Sequence, residues 1–272
     1  MLLKQTIVQG ALQQSAKLTR ALTWMNARNA FHRRSDDTFI ATYPRSGTTI
    51  LQMILYQLTT SGEMDFQHIS EVVPFLDRVV ASGRDLEALP SPRIFKTHLP
   101  FDELKKWKGR YIYVEREGAD VFVSNFHLYR THLNYRGTIE EFFTKYVKGD
   151  VLWGSWFSYT KKWRKHLDNP NVLSLRYEDL VKDPASVITK ISNFCGLAPS
   201  EEVKERVNSR SSFGFMKSHE HLFDPLNEII WEVKSMPRGN FIRSGKPMAY
   251  REELSEELIS RFERVKVEII GN

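Results

Sequence analysis

One stretch constrains this chain more than any other: Thr38-Phe39-Ile40-Ala41-Thr42-Tyr43-Pro44-Arg45-Ser46-Gly47-Thr48-Thr49. Phe39, Ile40 and Ala41 form a short apolar run that reads as a buried strand. Pro44 to Gly47 is a turn cluster. From Thr48 onward Ile50, Leu51, Ile54, Leu55 and Leu58 recur at the spacing of a helix packed on a sheet. A strand, a tight loop of small residues and a helix N-terminus together make an anion-binding arrangement. The first N–H groups of a helix have no partner inside it, and the dipole favours negative charge there. Gly47 lets the backbone come close. Ser46, Thr48 and Thr49 add hydroxyl donors, and Arg45 adds a planar cationic fork suited to phosphate or sulfonate oxygens. The stretch lacks the Gly-x4-Gly-Lys spacing of a Walker A loop. A strand–turn–helix whose Ser and Thr merely cap the helix has the same local pattern, so the rest of the chain must decide.

The 272 residues contain no repeat, no low-complexity tract and no Pro-, Gly- or Ser-rich linker. We read one domain over residues 36–272 behind an N-terminal extension over residues 1–35. Three further short apolar runs read as strands: Arg93-Ile94-Phe95-Lys96, Tyr111-Ile112-Tyr113-Val114 and Val172-Leu173-Ser174-Leu175. Helical periods follow through Val121, Phe122, Val123, Phe126 and Tyr129, and through Val187, Ile188, Ile191 and Phe194. The second of these starts at Asp183-Pro184 and stops at Gly196. Strands alternating with helices predict an α/β fold with a central parallel sheet flanked by helices. Such sheets bind ligands beyond the carboxyl ends of their strands.

The extension carries Lys4, Lys17, Arg20, Arg28, Arg33 and Arg34 and, through residue 34, no acid. Leu3, Ile7, Ala11, Leu18, Leu22 and Met25 fall on roughly one helical face. A helix docked on the domain, a helix on a membrane surface, a partner-binding helix and an Arg-rich transit-like segment all fit that pattern. Gln residues interrupt the apolar core a secretory signal would need, and no run is long enough to span a bilayer. The single Cys195 excludes an intrachain disulfide, and a cytoplasmic location is the expectation. Net charge is +6, which fits small anions as well as nucleic acid, but no nucleic-acid module is present. No Cys/His cluster has zinc spacing, so no metal is expected.

Several polar groups leave the ends of the expected strands. Lys96 and His98 lie two apart on an extended chain and share a face, so a base and a charge-neutralising ammonium can work side by side. Arg116 follows the third strand. Ser124 comes eight residues later, in the second turn of a helix starting near Ala119, where the two can hold one phosphate. Phe241-Ile242-Arg243-Ser244-Gly245-Lys246 is a basic loop before a helix capped by Ser255, and such a loop can wrap a phosphate. Each of these alone is equally a polar strand end, a surface pair or a solvated loop.

Taken in order, these pieces resemble the cytosolic-type sulfotransferase family. The family's opening Tyr-Pro-Lys-Ser-Gly-Thr-Thr-Trp is matched by Tyr43-Pro44-Arg45-Ser46-Gly47-Thr48-Thr49-Ile50, and its Lys-Thr-His by Lys96-Thr97-His98. Its Arg with a Ser eight residues on is matched by Arg116 and Ser124, and its Gly-Ser-Trp by Gly154-Ser155-Trp156. Tyr177-Glu178-Asp179, Ser212-Phe213 with Met216-Lys217, and Arg243-Ser244-Gly245 match later motifs. The resemblance runs from about Asp37 to Val265. It implies a P-loop-kinase-like sulfotransferase fold and transfer of a sulfuryl group from 3′-phosphoadenosine 5′-phosphosulfate (PAPS) to a hydroxyl or amine of a small-molecule acceptor. The product nucleotide would be adenosine 3′,5′-bisphosphate (PAP), and no metal takes part.

The resemblance also implies roles. Arg45, Ser46, Gly47, Thr48 and Thr49 would bind the 5′ phosphosulfate. Arg116, Ser124, Arg243, Ser244 and Gly245 would bind the 3′-phosphate, and Tyr177, Ser211 and Phe213 would line the adenine side. His98 would be the base, with Lys96 and Arg45 stabilising the group in flight. Arg45 stands where the family has Lys, and Ile50 where it has a Trp that stacks on adenine. Lys246-Pro247-Met248-Ala249-Tyr250 departs from the family's loop ending. The family's Lys-Thr-Val-Glu dimer segment is not matched, which leaves the oligomeric state open. Phe75, Phe101, Tyr135, Phe142 and Trp153 are the expected acceptor-pocket aromatics. Two other readings remain at this point: a nucleotide- or polyanion-binding protein on a degenerate version of the fold, and a nucleotide kinase.

Overall fold

The computed structural model of the chain describes residues 32–79, 85–225 and 241–271. Four strands, β1 (Thr38–Thr42), β2 (Ile94–Thr97), β3 (Arg110–Glu115) and β4 (Val172–Arg176), form one sheet in the order β2-β1-β3-β4. Every pairing is parallel. Each strand lies where an apolar run predicts it. The helices of six or more residues, among the described residues, are α1 (Thr48–Thr59), α2 (Gly118–His132), α3 (Ile139–Lys148), α4 (Trp156–Arg164), α5 (Tyr177–Lys182), α6 (Pro184–Cys195), α7 (Glu201–Arg210), α8 (Phe213–Ser218) and α9 (Glu256–Ile270). None is long and apolar enough to cross a membrane. The helix expected over residues 1–35 falls outside the described residues up to residue 31.

Parallel strands are joined by crossovers that cover both sheet faces, and the alternation along β1 shows it. Phe39 and Ala41 enter one core with Phe95, Tyr111 and Tyr113, under α2, α3, α4 and α9. Ile40 enters the other with Ile112, Val114 and Leu175, under α1, α6 and α7. Cys195 sits in this second core, where burial pushes its thiol up to about 11. The helix ends obey their sequence signals. The Asp183 side chain accepts from Ser186 N–H, Pro184 opens α6, and Gly196 closes it in the left-handed region. Ser255 likewise accepts from Leu258 N–H at the start of α9.

The first core also holds three aromatics expected at the acceptor pocket. Phe142 is fully buried beside Phe122, Tyr129 and Tyr135. Phe101 packs between Tyr111 and Trp163 at 5.4 and 5.3 Å. Phe101, Tyr135 and Phe142 therefore pack as core: Phe142 lies on the buried face of α3, Phe101 opens a four-residue helical turn, and Tyr135 lies in the stretch between α2 and α3 with its ring against Phe126, Tyr129 and Phe142.

An ion pair closes the end of the sheet away from the loop at residues 44–47. Arg93 and Asp37 immediately precede β2 and β1, and both side chains are fully buried. Nε and Nη2 of Arg93 donate to the two carboxylate oxygens of Asp37 at 2.8 and 2.9 Å. Arg93 also reaches Glu87 and the His32 carbonyl, while Thr38 N–H donates to the Arg93 carbonyl at 2.9 Å. The pair ties the entries of two neighbouring strands and so sets their register. Asp37→Ala would leave a buried guanidinium without its fully buried, two-pronged partner and is expected to destabilise the fold by about 3–5 kcal/mol. Urea unfolding followed by circular dichroism measures this, and a loss below about 1 kcal/mol would show that the pair does not anchor the sheet.

Candidate active site

The loop after β1 turns through two left-handed residues, Arg45 (φ 73) and Gly47 (φ 95). Gly47 caps α1 without a side-chain bond, so the first N–H groups of α1 are not claimed by a capping side chain. A Cβ at Gly47 would come within 2.9 Å of the Tyr177 ring, so both the turn and the close approach require glycine. Tyr177 starts α5, directly after β4. Its hydroxyl donates to the Gly245 carbonyl at 3.0 Å, and a Cβ at Gly245 would sit 2.6 Å from the Phe213 ring. One tyrosine thus joins the first loop to the last.

Three guanidinium groups converge here. Arg45 Nε donates to Ser124 Oγ at 2.9 Å, and its Nη2 donates to the Phe241 carbonyl at 2.6 Å. Its plane lies 4.6 Å from the centre of the Phe241 ring. Arg116 donates through Nη1 to the Arg45 carbonyl at 2.9 Å and lies 4.2 Å from the centre of the Tyr177 ring. Arg243 donates through Nη1 to Glu253 at 2.5 Å. Burial, then the nearby charge of Arg116 and, more weakly, Arg243, push the Arg45 guanidinium down to about 10. It remains charged at neutral pH, in a place where an anion would relieve the repulsion. Arg45 in the family's Lys position uses its fork: one branch holds α2 and the other holds residue 241.

Helix α2 presents one face to this region, because Asp120, Ser124 and His127 are spaced four and three apart. Asp120, next to Arg116 at 3.8 Å, accepts from the N–H groups of Met248 and Tyr250 at 2.7 and 3.0 Å. Burial raises its pKa against the pull of Arg116 and these two donors. The loop ending that departs from the family pattern, Lys246 to Tyr250, is thus closed by a carboxylate on α2. Asp120 escaped the sequence reading. Its only signal there was an acid in the first turn of a helix, which also has the ordinary meaning of a dipole contact.

At the end of β2, His98 Nδ1 lies 2.8 Å from the Thr42 carbonyl. A carbonyl only accepts, so Nδ1 carries the proton and the neutral ring keeps its lone pair on Nε2. The imidazole sits edge-on between Phe75 at 5.1 Å and Trp153 at 5.7 Å. Lys96 Nζ lies 5.1 Å from the centre of the Phe75 ring. Phe75 is set against β2 by the bond from Lys96 N–H to the Pro74 carbonyl, at 2.9 Å. Gln52, a polar residue on the buried side of α1, donates to the Val73 carbonyl at 3.0 Å and steadies the same segment.

These groups share one cleft of about 890 Å³. Arg45, Gly47, Thr48, Thr49, Lys96, His98, Arg116, Ser124, Tyr177, Ser211, Phe213, Arg243, Ser244 and Gly245 line it, as do Phe75 and Trp153. Ile50 and Phe241 line it as well. Ser46 is not among the lining residues. It is buried beneath the loop, and its hydroxyl has no hydrogen-bond partner in the structure. Ser211 donates its hydroxyl to the Val207 carbonyl at 2.7 Å. Phe213 is 47% exposed and lines the cleft, with Gly245 against its ring.

The chain matches the sulfotransferase domain family over residues 35–270. It belongs to the sulfotransferase family. Human sulfotransferase 1C2 is 30% identical over 271 residues, covering 95% of this chain and 90% of that protein. The amine sulfotransferase of Oryctolagus cuniculus is 33% identical over 249 residues, 86% of this chain and 81% of that one. Among solved structures, a mouse sulfotransferase complexed with PAP superimposes with a TM-score of 0.74 at 24% identity, covering 94% of this chain and 91% of that chain. Retinol dehydratase in complex with androsterone and PAP gives 0.72 at 25% identity, covering 88% and 82%.

In this sulfotransferase the closure of the late loop rests on Asp120. Asp120→Ala removes the acceptor of two backbone donors and should cost about 1–3 kcal/mol locally. Opening of the loop by that amount frees the backbone at the part-buried Arg243, so limited trypsin digestion should cut there at least about fivefold faster. Unchanged cleavage would mean that other contacts hold the loop.

Proposed function

We propose that this sulfotransferase moves the sulfuryl group of PAPS to a hydroxyl, or an amine, of a small apolar acceptor, with His98 as the base. One observation carries the reading. The His98 ring is locked by the carbonyl of Thr42, the last residue of β1 before the anion-binding loop, in the tautomer whose Nε2 can take a proton. The cradle also fits a nucleotide with phosphates at both ends. Arg116 is buried, yet its Nε has no hydrogen-bond partner, which is the signature of a donor awaiting an acceptor oxygen. The solved proteins of similar fold that were crystallised with PAP support the same reading.

In this reading Arg45, Thr48, Thr49 and the N–H groups of α1 hold the 5′ side of the donor. Arg116, Ser124, Arg243 and the Ser244–Gly245 backbone hold the 3′-phosphate. Tyr177, Ser211 and Phe213 face the base, with Phe213 and Ile50 standing in for the family's Trp. The donor supplies the sulfuryl group and a phosphate oxygen as leaving group. His98 Nε2 takes the acceptor's proton, and Lys96, on the same face of β2, meets the charge that gathers on the departing oxygen. Cationic positioning does most of the work, because charge spreads over oxygens in the transition state. Around His98 the described wall combines Phe75 and Trp153 with the cations Lys96 and Arg78. That lining suits a neutral or anionic hydroxyl compound better than an ammonium.

Two variants test this. His98→Ala is expected to lower kcat by about 10²- to 10⁴-fold while PAP affinity, read by calorimetry, stays within about twofold. Retention of more than about a tenth of the turnover at saturating substrates would remove His98 as the base. Arg116→Ala is expected to weaken PAP at least about tenfold and 5′-AMP much less. Equal losses for both nucleotides would sink the 3′-phosphate assignment.

A further inference from the structure

We propose that Glu253 is a built-in competitor for Arg243, a carboxylate that contends with the nucleotide's 3′-phosphate for the same guanidinium and so limits how tightly that phosphate is held. The inference rests on the reading of Arg243 as a 3′-phosphate arm. Three side chains stand in a line. Arg243 Nη1 lies 2.5 Å from Glu253 Oε1, and His127 Nε2 lies 2.5 Å from Glu253 Oε2. Arg243 lines the cleft, whereas His127 belongs to the face of α2 that also carries Asp120 and Ser124. Burial raises the pKa of Glu253, but the His127 hydrogen bond and the Arg243 charge outweigh it and hold the carboxyl below its usual range. Glu253 is therefore ionised at neutral pH.

A phosphate dianion and a carboxylate on one guanidinium repel, and the Nη1 that Glu253 holds is not offered to the phosphate at full strength. The other N–H groups of Arg243 can meet the phosphate, but Glu253 must loosen its hold for Nη1 to join them and for the repulsion to fall. His127 makes the exchange feasible, because the second carboxylate oxygen keeps a hydrogen-bond partner on α2. Glu253 thus taxes the affinity for both 3′-phosphorylated nucleotides, donor and product, and His127 reduces that tax. A product that must leave at every turnover is released faster when an internal anion waits to reclaim its binding arm. Glu253 touches neither nucleotide nor acceptor in this account. It acts through Arg243 and is a positioning residue.

The test is calorimetric titration of the full chain with PAP and with 5′-AMP, for wild type and four variants. Glu253→Gln keeps the shape and removes the charge. PAP should then bind roughly three- to tenfold tighter, with 5′-AMP within about twofold. His127→Ala should shift PAP the other way, by about two- to threefold, and leave 5′-AMP unchanged. In an Arg243→Ala background the gain from Glu253→Gln should fall below half its size, which a purely structural role for Glu253 would not produce. Weaker or unchanged PAP binding by Glu253→Gln overturns the proposal, as does an equal gain for both nucleotides or a gain that persists without Arg243. If wild type shows no preference for PAP over 5′-AMP, the 3′-phosphate reading fails and takes this inference with it. A wild-type preference with no response at Glu253 overturns the inference alone.

Discussion

The site depends on the fit between Gly47 and Tyr177. β1 is buried on both faces and must stop at the sheet edge, and the chain then has only a few residues in which to reverse into α1. It does so through left-handed backbone at Arg45 and Gly47, the second of which lies against the Tyr177 ring. That contact sets where the N-terminus of α1 points. It also brings the Arg45 carbonyl to Arg116 and the Tyr177 hydroxyl to Gly245. Loops from four places in the chain therefore meet at one aromatic ring.

Electrostatics sharpen what the packing builds. Guanidinium groups from the first loop, the end of β3 and the last loop face one volume, and the shift at Arg45 records what it costs to bury a cation near others. The neighbouring carboxylates are placed with restraint. Asp120 is committed mostly to backbone donors, and Glu253 is shared with His127. The cleft keeps an excess of positive charge, with Arg45, Lys96, Arg116 and Arg243 all lining it. Preorganised charge of this kind needs no rearrangement at the moment of reaction.

Much of this was legible in the sequence. The strands carry uninterrupted apolar runs, because parallel strands buried on both faces have no polar side to display. Arg45, Lys96, His98, Arg116 and Arg243 could be singled out because each polar group directly follows an apolar run or sits in a glycine-bearing basic loop. What escaped notice were residues whose type has a bland local meaning. Asp120 reads as a helix-dipole acid, Gln52 as an interruption in an apolar face, and Phe241 as one more aromatic. Phe101, Tyr135 and Phe142, expected at the acceptor pocket, lie in the core cluster instead of lining the cleft. An aromatic in a loop-rich region looks the same in a sequence whether it faces a ligand or the core, and only the packed fold decides.

The sequence by itself determined the four strands, several of the helices that follow them, the glycine turn after β1 and the set of cationic residues, because these follow from side-chain period, glycine placement and charge along short stretches. The tertiary structure decided which of those residues meet. The partnership of Arg45 with Ser124 and Phe241, the lock of His98 on Thr42, the sharing of Glu253 between Arg243 and His127, and the burial of Ser46 all join residues far apart in the chain or depend on which side of a turn faces the cleft. The physical reason is that local sequence sets backbone conformation within a few residues. A hydrogen bond across 196 residues, such as that from Arg45 to Phe241, exists only once the sheet and its helices have packed and brought the two segments to the same edge.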